Sequence, residues 1–136
     1  DDVLLNKAAT IERCLKRIEE TYDESSFFEN YDKQDAIVLN LQRVSQATID
    51  MGTHIIRIRK LGIPQGSREV FEILEKDGWV NQKVTKAMKS MVGFRNLAVH
   101  DYQNLSLEII QSIVLNHLDN FRIFSKTILR KVMSID

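Results

Sequence analysis

The sequence predicts an all-α fold, an up-and-down helical bundle of four long helices plus one short helix, on three observations. Apolar residues recur at alternating spacings of three and four along most of the chain, which places them on helical stripes. No segment sustains the apolar/polar alternation of a half-buried strand. Proline occurs once and glycine five times in 136 residues, so few positions interrupt a helix. With 43% hydrophobic and 28% charged residues, the chain fits one domain, residues 1–136, with enough apolar mass for a core.

Each element follows in order. Leu4, Ala8, Ile11, Leu15, Ile18 and Tyr22 form the stripe of a first helix, whose other faces carry charges such as Lys7, Glu12, Arg13 and Glu19. A polar, aromatic connector spans 23–30. A second, long helix carries Ile37, Leu41, Val44, Thr48, Met51, Ile55 and Ile58. It ends in Arg57, Arg59 and Lys60, cations that suit a helix C-terminus and equally suit phosphate. The run from Leu61 to Gly66 holds the only proline and two glycines and forms the main loop. Ser67 is placed to N-cap a short helix through Val70, Phe71 and Leu74, closed by Asp77-Gly78. From Trp79 the stripe resumes at Val80, Val84, Ala87, Met91, Phe94 and Ala98. After Ser106 one continuous last helix carries Leu107, Ile110, Val114, His117, Phe121, Phe124 and Ile128.

Nineteen basic residues balance nineteen acidic ones, and a net charge of zero argues, at whole-chain level, against nucleic acid. The balance is uneven along the chain. Residues 1–35 hold five basic and ten acidic residues, and residues 79–136 hold eight basic and four acidic. A lone cysteine, Cys14, excludes an internal disulfide and a thiolate metal site and reads as a small buried or half-buried residue. No run approaches the roughly 18 apolar residues of a membrane span, and Asp1-Asp2 has the wrong charge for a signal peptide. The expectation is a soluble, cytoplasmic protein with no membrane partner. The leading Asp is also what a trimmed N-terminus would leave.

Glycine-rich phosphate loops, paired cysteines and HExxH are absent, and His54, His100 and His117 lack metal-ligand spacing, so no metal and no cofactor are expected. His54 and His117 read as structural, His117 as a core or interface residue on the last stripe. Chemistry concentrates in Gly93-Phe94-Arg95-Asn96-Leu97-Ala98-Val99-His100-Asp101-Tyr102. On an ideal helix Asn96 and His100 stack on one face, while Arg95 shares a face with Val99 and Tyr102. Arg95 and His100 stand roughly 140° apart, so they flank the Asn96 side, and a second copy of the helix would supply the missing half of a grip. Gly93 weakens a helix interior by about 1 kcal/mol relative to Ala, which close helix approach or an accident of packing explains equally. Lys83, Lys86 and Lys89 recur every third residue and make a candidate basic flank on the motif helix, for a phosphate-bearing ligand.

The run of Arg95, four residues, His100, one residue and Tyr102, with Asn96 after the arginine, resembles the RX4HXY motif of HepT toxins of the HEPN superfamily. Asp35-Ala36-Ile37, Asn40-Leu41-Gln42, the 62–66 loop and Met88 to Tyr102 also fit that family's layout. The resemblance implies a homodimer in which two motif helices form one RNA-cleaving cleft without metal. Arg95 and His100 are then the catalytic pair: the arginine neutralises the phosphate, and the imidazole, with an ordinary pKa of about 6.5, exchanges the protons. Asn96 supports them. The resemblance also implies that Tyr102 is adenylylated by a cognate MNT nucleotidyltransferase antitoxin, which adds charge and bulk beside the cleft. Tyr102 is expected just before a helix boundary at 104–106, protruding into solvent. The competing readings are a catalytically silent HEPN nucleotide-binding or helper subunit of a nucleotidyltransferase, and a plain helical interaction domain.

Overall fold

The chain folds into helices α1 (Asp2–Thr21), α2 (Tyr31–Arg59), α3 (Ser67–Lys76), α4 (Gln82–His100), α5 (Leu107–Asn116) and α6 (Leu118–Ile135), with a 3-10 turn at Tyr102–Asn104. This computed structural model describes residues 1–135, and Asp136, the end of the expected domain span, lies outside the described residues. No strand occurs among the described residues. Side-chain caps start four of the helices. Asp1 accepts from the Val3 amide at 2.9 Å, Asn30 from Lys33 at 3.0 Å, Asn81 from Val84 at 2.9 Å and Ser106 from Ile109 at 3.3 Å.

Cross-helix contacts fix the directions. Lys7 meets Asp50 at 3.3 Å, so α1 and α2 are antiparallel, and Gln34 pins the turn between them by donating to the Phe27 carbonyl at 2.7 Å. Arg95 reaches Gln46 and Tyr102 reaches Asp35, so α4 runs antiparallel to α2. Arg122 of α6 binds Glu12 and Glu19 of α1, and Lys131 donates to the Gly78 carbonyl at 2.7 Å. The four long helices therefore alternate in direction, as the stripes predict. Their shared core includes Leu15, Ile18, Ile37, Leu41, Met51, Ile55 and Phe124, each at most 1% exposed. Cys14 is buried as expected.

The last helix departs from expectation. It breaks at His117, whose φ of −127° and ψ of 0° leave the helical region. The break rotates the stripe by one residue, so Leu118 is buried at 5% and His117 is exposed. His117 is therefore not a core residue. His54 is structural: buried, its Nε2–H donates to Asp1 at 2.8 Å and its Nδ1 accepts from Arg57 at 3.0 Å. Burial, aided by the Arg57 charge, lowers its pKa. Arg59 lies over the Trp79 ring, and the backbone of Lys60 takes the left-handed conformation that closes α2.

Gly52 marks the α2–α3 contact. A Cβ there would lie 2.7 Å from Val70 Cγ1 and 3.1 Å from Leu74 Cδ1. Val70 is β-branched and buried, so it cannot swing aside. Overpacking of this kind costs about 1–3 kcal/mol, more than the helix propensity gained. Gly52→Ala is expected to destabilise the protein by about 1 kcal/mol, read as a lower urea midpoint at unchanged slope. A raised midpoint would show that α3 yields freely.

Candidate active site

The motif occupies the last turns of α4. Ala98, 2% exposed, anchors this stretch to the core, while Leu97 and Val99 remain 40% and 51% exposed. Arg95 and Asn96 are half-buried and His100 is exposed at the helix end. Among the described residues, neither Asn96 nor His100 forms a side-chain hydrogen bond, so both remain available to a substrate.

Arg95 is held from two other helices. Its Nη2 donates to Ser67 Oγ at 3.0 Å, and its Nη1 reaches Gln46 Oε1 at a longer 3.5 Å. Both acceptors are neutral, and the arginine forms no ion pair with a described residue. Its position is thus set without neutralising its charge, as a phosphate-binding guanidinium requires. Its buried Nε finds no acceptor.

Ser67 has a different role from the expected one. Gly66 is the N-cap of α3 and supplies no side chain to it, while Ser67 is the first helical residue and its hydroxyl oxygen accepts from Arg95. Gly93 is also explained: a Cβ there would lie 2.9 Å from Arg68 Nη2. A guanidinium, not a helix backbone, approaches this glycine. Gly93 and His100 are seven residues apart, about 20° around the axis, so Arg68 lies along the face that carries Asn96 and His100.

Helix α4 stops at His100, sooner than the sequence predicts, because Asp101 adopts φ −148° and ψ 50°. Asp101 also accepts from Asn104 at 2.8 Å, a local bond that competes with helix continuation. Tyr102 therefore stands on the 3-10 turn, out of phase with Arg95. It is 43% exposed, yet it does not protrude freely, since its hydroxyl donates to the Asp35 carboxylate of α2. Burial of the hydroxyl end, then the Asp35 hydrogen bond and charge, push its pKa up to about 12. Tyr102 and Asp35 line a cleft of about 310 Å³ together with Tyr31, Gln34 and Leu107.

The expected lysine flank divides. Lys83 and Lys86 border a groove of about 590 Å³ facing α5 and α6, with Phe94 and His117. Lys89 instead pairs with Glu72 of α3 at 2.6 Å. Among the described residues, no group of three or more His, Cys, Asp or Glu side chains is arranged to hold a metal ion. No helix of the described residues is long and apolar enough to cross a membrane. The periodicity of the sequence gives no sign of Ser67, Gln46 and Arg68 beside the motif, and Gly93 in a helix interior fits a close approach and a packing accident equally well.

The alternating bundle and the Arg95–His100 segment define a small helical protein of the HEPN class. A family model described as ribonuclease HepT-like matches residues 11–128, and the chain belongs to that family. It is 46% identical over 125 residues to the mRNA nuclease HepT of Shewanella oneidensis, covering 91% of this chain and 94% of that one. It superposes with a TM-score of 0.92 on a chain from a toxin–antitoxin crystal structure with AMP-PNP, at 44% identity, covering 96% of this chain and 99% of that one. A TM-score of 0.92 also relates it, at 45% identity and 96% and 98% coverage, to a structure of the tri-AMPylated Shewanella oneidensis HEPN toxin in complex with MNT antitoxin.

Proposed function

We propose that the protein is the toxin of a toxin–antitoxin pair, an endoribonuclease that acts as a homodimer and is silenced when a cognate MNT-type nucleotidyltransferase adenylylates Tyr102. The observation that carries the nuclease reading is Arg95, fixed by neutral acceptors on the helix that ends in an exposed His100. A silent helper subunit or a scaffold needs neither feature. In the reaction, the RNA 2′-oxygen attacks the adjacent phosphorus, the bond to the 5′-oxygen breaks, and a 2′,3′-cyclic phosphate remains. One His100 takes the 2′ proton and its symmetry mate gives a proton to the leaving oxygen. Arg95 meets the negative charge of the pentacovalent phosphorus, and Asn96 orients the imidazole or the phosphate.

Pairing of two copies through α4 would cover Leu97 and Val99, the exposed apolar residues that interleave the motif. Arg68, Lys83 and Lys86 extend the positive surface for RNA, whereas Lys89 is neutralised by Glu72. We assign the activity to the cytoplasm, where RNA and ATP meet. The test is cleavage of RNA by the purified protein, with chelator present, compared with variants at Arg95 and His100.

Ser67 gives a graded companion to that test. Ser67→Ala removes the 3.0 Å tether of Arg95 and is expected to lower kcat about tenfold with KM little changed, the value of one hydrogen bond to a charged group. Ser67→Thr keeps the hydroxyl and should restore most of the rate. Ser67→Asp keeps an acceptor but pairs the guanidinium, so it should be slower than the alanine variant. Equal rates for Ala and Asp would mean that the free charge of Arg95 is not what the site preserves.

A further inference from the structure

We infer that Asp35 is the group that orients the Tyr102 hydroxyl and accepts its proton during nucleotidyl transfer, an inference that rests on the proposed modification of Tyr102. The two residues are 67 positions apart, and the fold joins them by seating the 3-10 turn after α4 against the first turns of α2. The phenol donates to one oxygen of Asp35, so one lone pair of the phenol oxygen is directed away from the carboxylate. Both side chains are exposed and line the same open cleft of about 310 Å³, so the phenol oxygen can be approached by the α-phosphate of an incoming nucleoside triphosphate.

With the phenol's pKa pushed up, the resting side chain is a neutral phenol, and its proton must leave as the oxygen attacks. In the step, the Tyr102 oxygen bonds to the α-phosphorus of the triphosphate. The bond from that phosphorus to the bridging oxygen breaks, and pyrophosphate leaves with the electron pair. The proton passes to Asp35 and from there to water.

The same contact makes the product self-releasing. After transfer, the tyrosine oxygen has no proton to donate and carries a phosphodiester with one negative charge. Asp35, again ionised, faces that charge, and like charges at this range repel. The modified side chain leaves α2, which sets the nucleotide free to move toward the positive surface around Arg95.

An intact-mass time course with the partner nucleotidyltransferase and ATP tests this. Asp35→Asn keeps the size and a hydrogen-bond acceptor but not the basicity, so the first AMP increment is expected to slow about a hundredfold. Asp35→Glu should recover part of the rate, and unchanged melting temperatures would show that both variants are folded. Labelling of the asparagine variant at the wild-type rate or faster overturns the inference and leaves the Tyr102 assignment standing. Labelling that persists in Tyr102→Phe overturns that assignment itself.

Discussion

His100→Ala and Arg95→Ala are each expected to reduce RNA cleavage by at least about a hundredfold, with the histidine variant the more severe. A positioned imidazole that moves protons in the transition state is worth about 10²–10⁴ in rate. Loss of one preorganised charge-stabilising donor typically costs about 10²–10³. Neither change should harm the fold, since His100 is exposed and Arg95 makes neutral hydrogen bonds at the rim of the core. Arg95→Lys separates charge from geometry. A lysine keeps the charge but cannot reproduce the guanidinium fork that spans Ser67 and Gln46, so most of the loss should remain. The decisive measurement is single-turnover cleavage at saturating enzyme, in which dimer dissociation and product release do not contribute. Undiminished cleavage by either alanine variant would remove the mechanism.

The sequence discloses what is local and hides what is not. The stripes from Leu4 to Tyr22 and Ile37 to Ile58 placed α1 and α2 because helical spacing is a property of neighbours. The Asp77-Gly78 stop was equally readable: Gly78 takes φ 81° and the Trp79 amide returns to the Leu74 carbonyl at 2.8 Å. The break at His117 was not readable, because Val114, His117 and Phe121 keep a spacing of three and four straight through it. Only the backbone turn reveals that Leu118 takes the buried place.

The site shows the same division. Arg95, Asn96, His100 and Tyr102 form one continuous motif, but the groups that position them lie 28, 49 and 67 residues away in Ser67, Gln46 and Asp35. Ser67 even carried a misleading local signal, since a serine at the start of a helix looks like its cap. Charge behaved likewise. The neutral total and the lysine spacing were both readable, but that Glu72 neutralises Lys89 depends on how α3 docks on α4.

Tyr102→Phe is expected to separate the nuclease from its control. The wild-type protein should gain mass in steps of AMP and lose cleavage when incubated with the nucleotidyltransferase and ATP. The phenylalanine variant should gain none and keep cleaving. The substitution is mild for the fold: it removes one hydroxyl, and the Asp35 carboxylate left behind is exposed and hydrated by solvent. The effect on control should be complete, because Phe has no nucleophile. The expected inactivation of the wild type has two physical parts. Each nucleotide brings a phosphodiester charge onto the turn that begins two residues after His100, where it competes with RNA for Arg95 and Arg68. Its bulk also occupies the space beside the helix end. The parts are distinguishable by salt, since screening weakens a charge effect between exposed groups and leaves a steric block in place. Cleavage that recovers in high salt assigns the control to charge, and cleavage that stays low assigns it to occlusion. Loss of cleavage by the phenylalanine variant under the same treatment would place the controlling modification elsewhere on the protein.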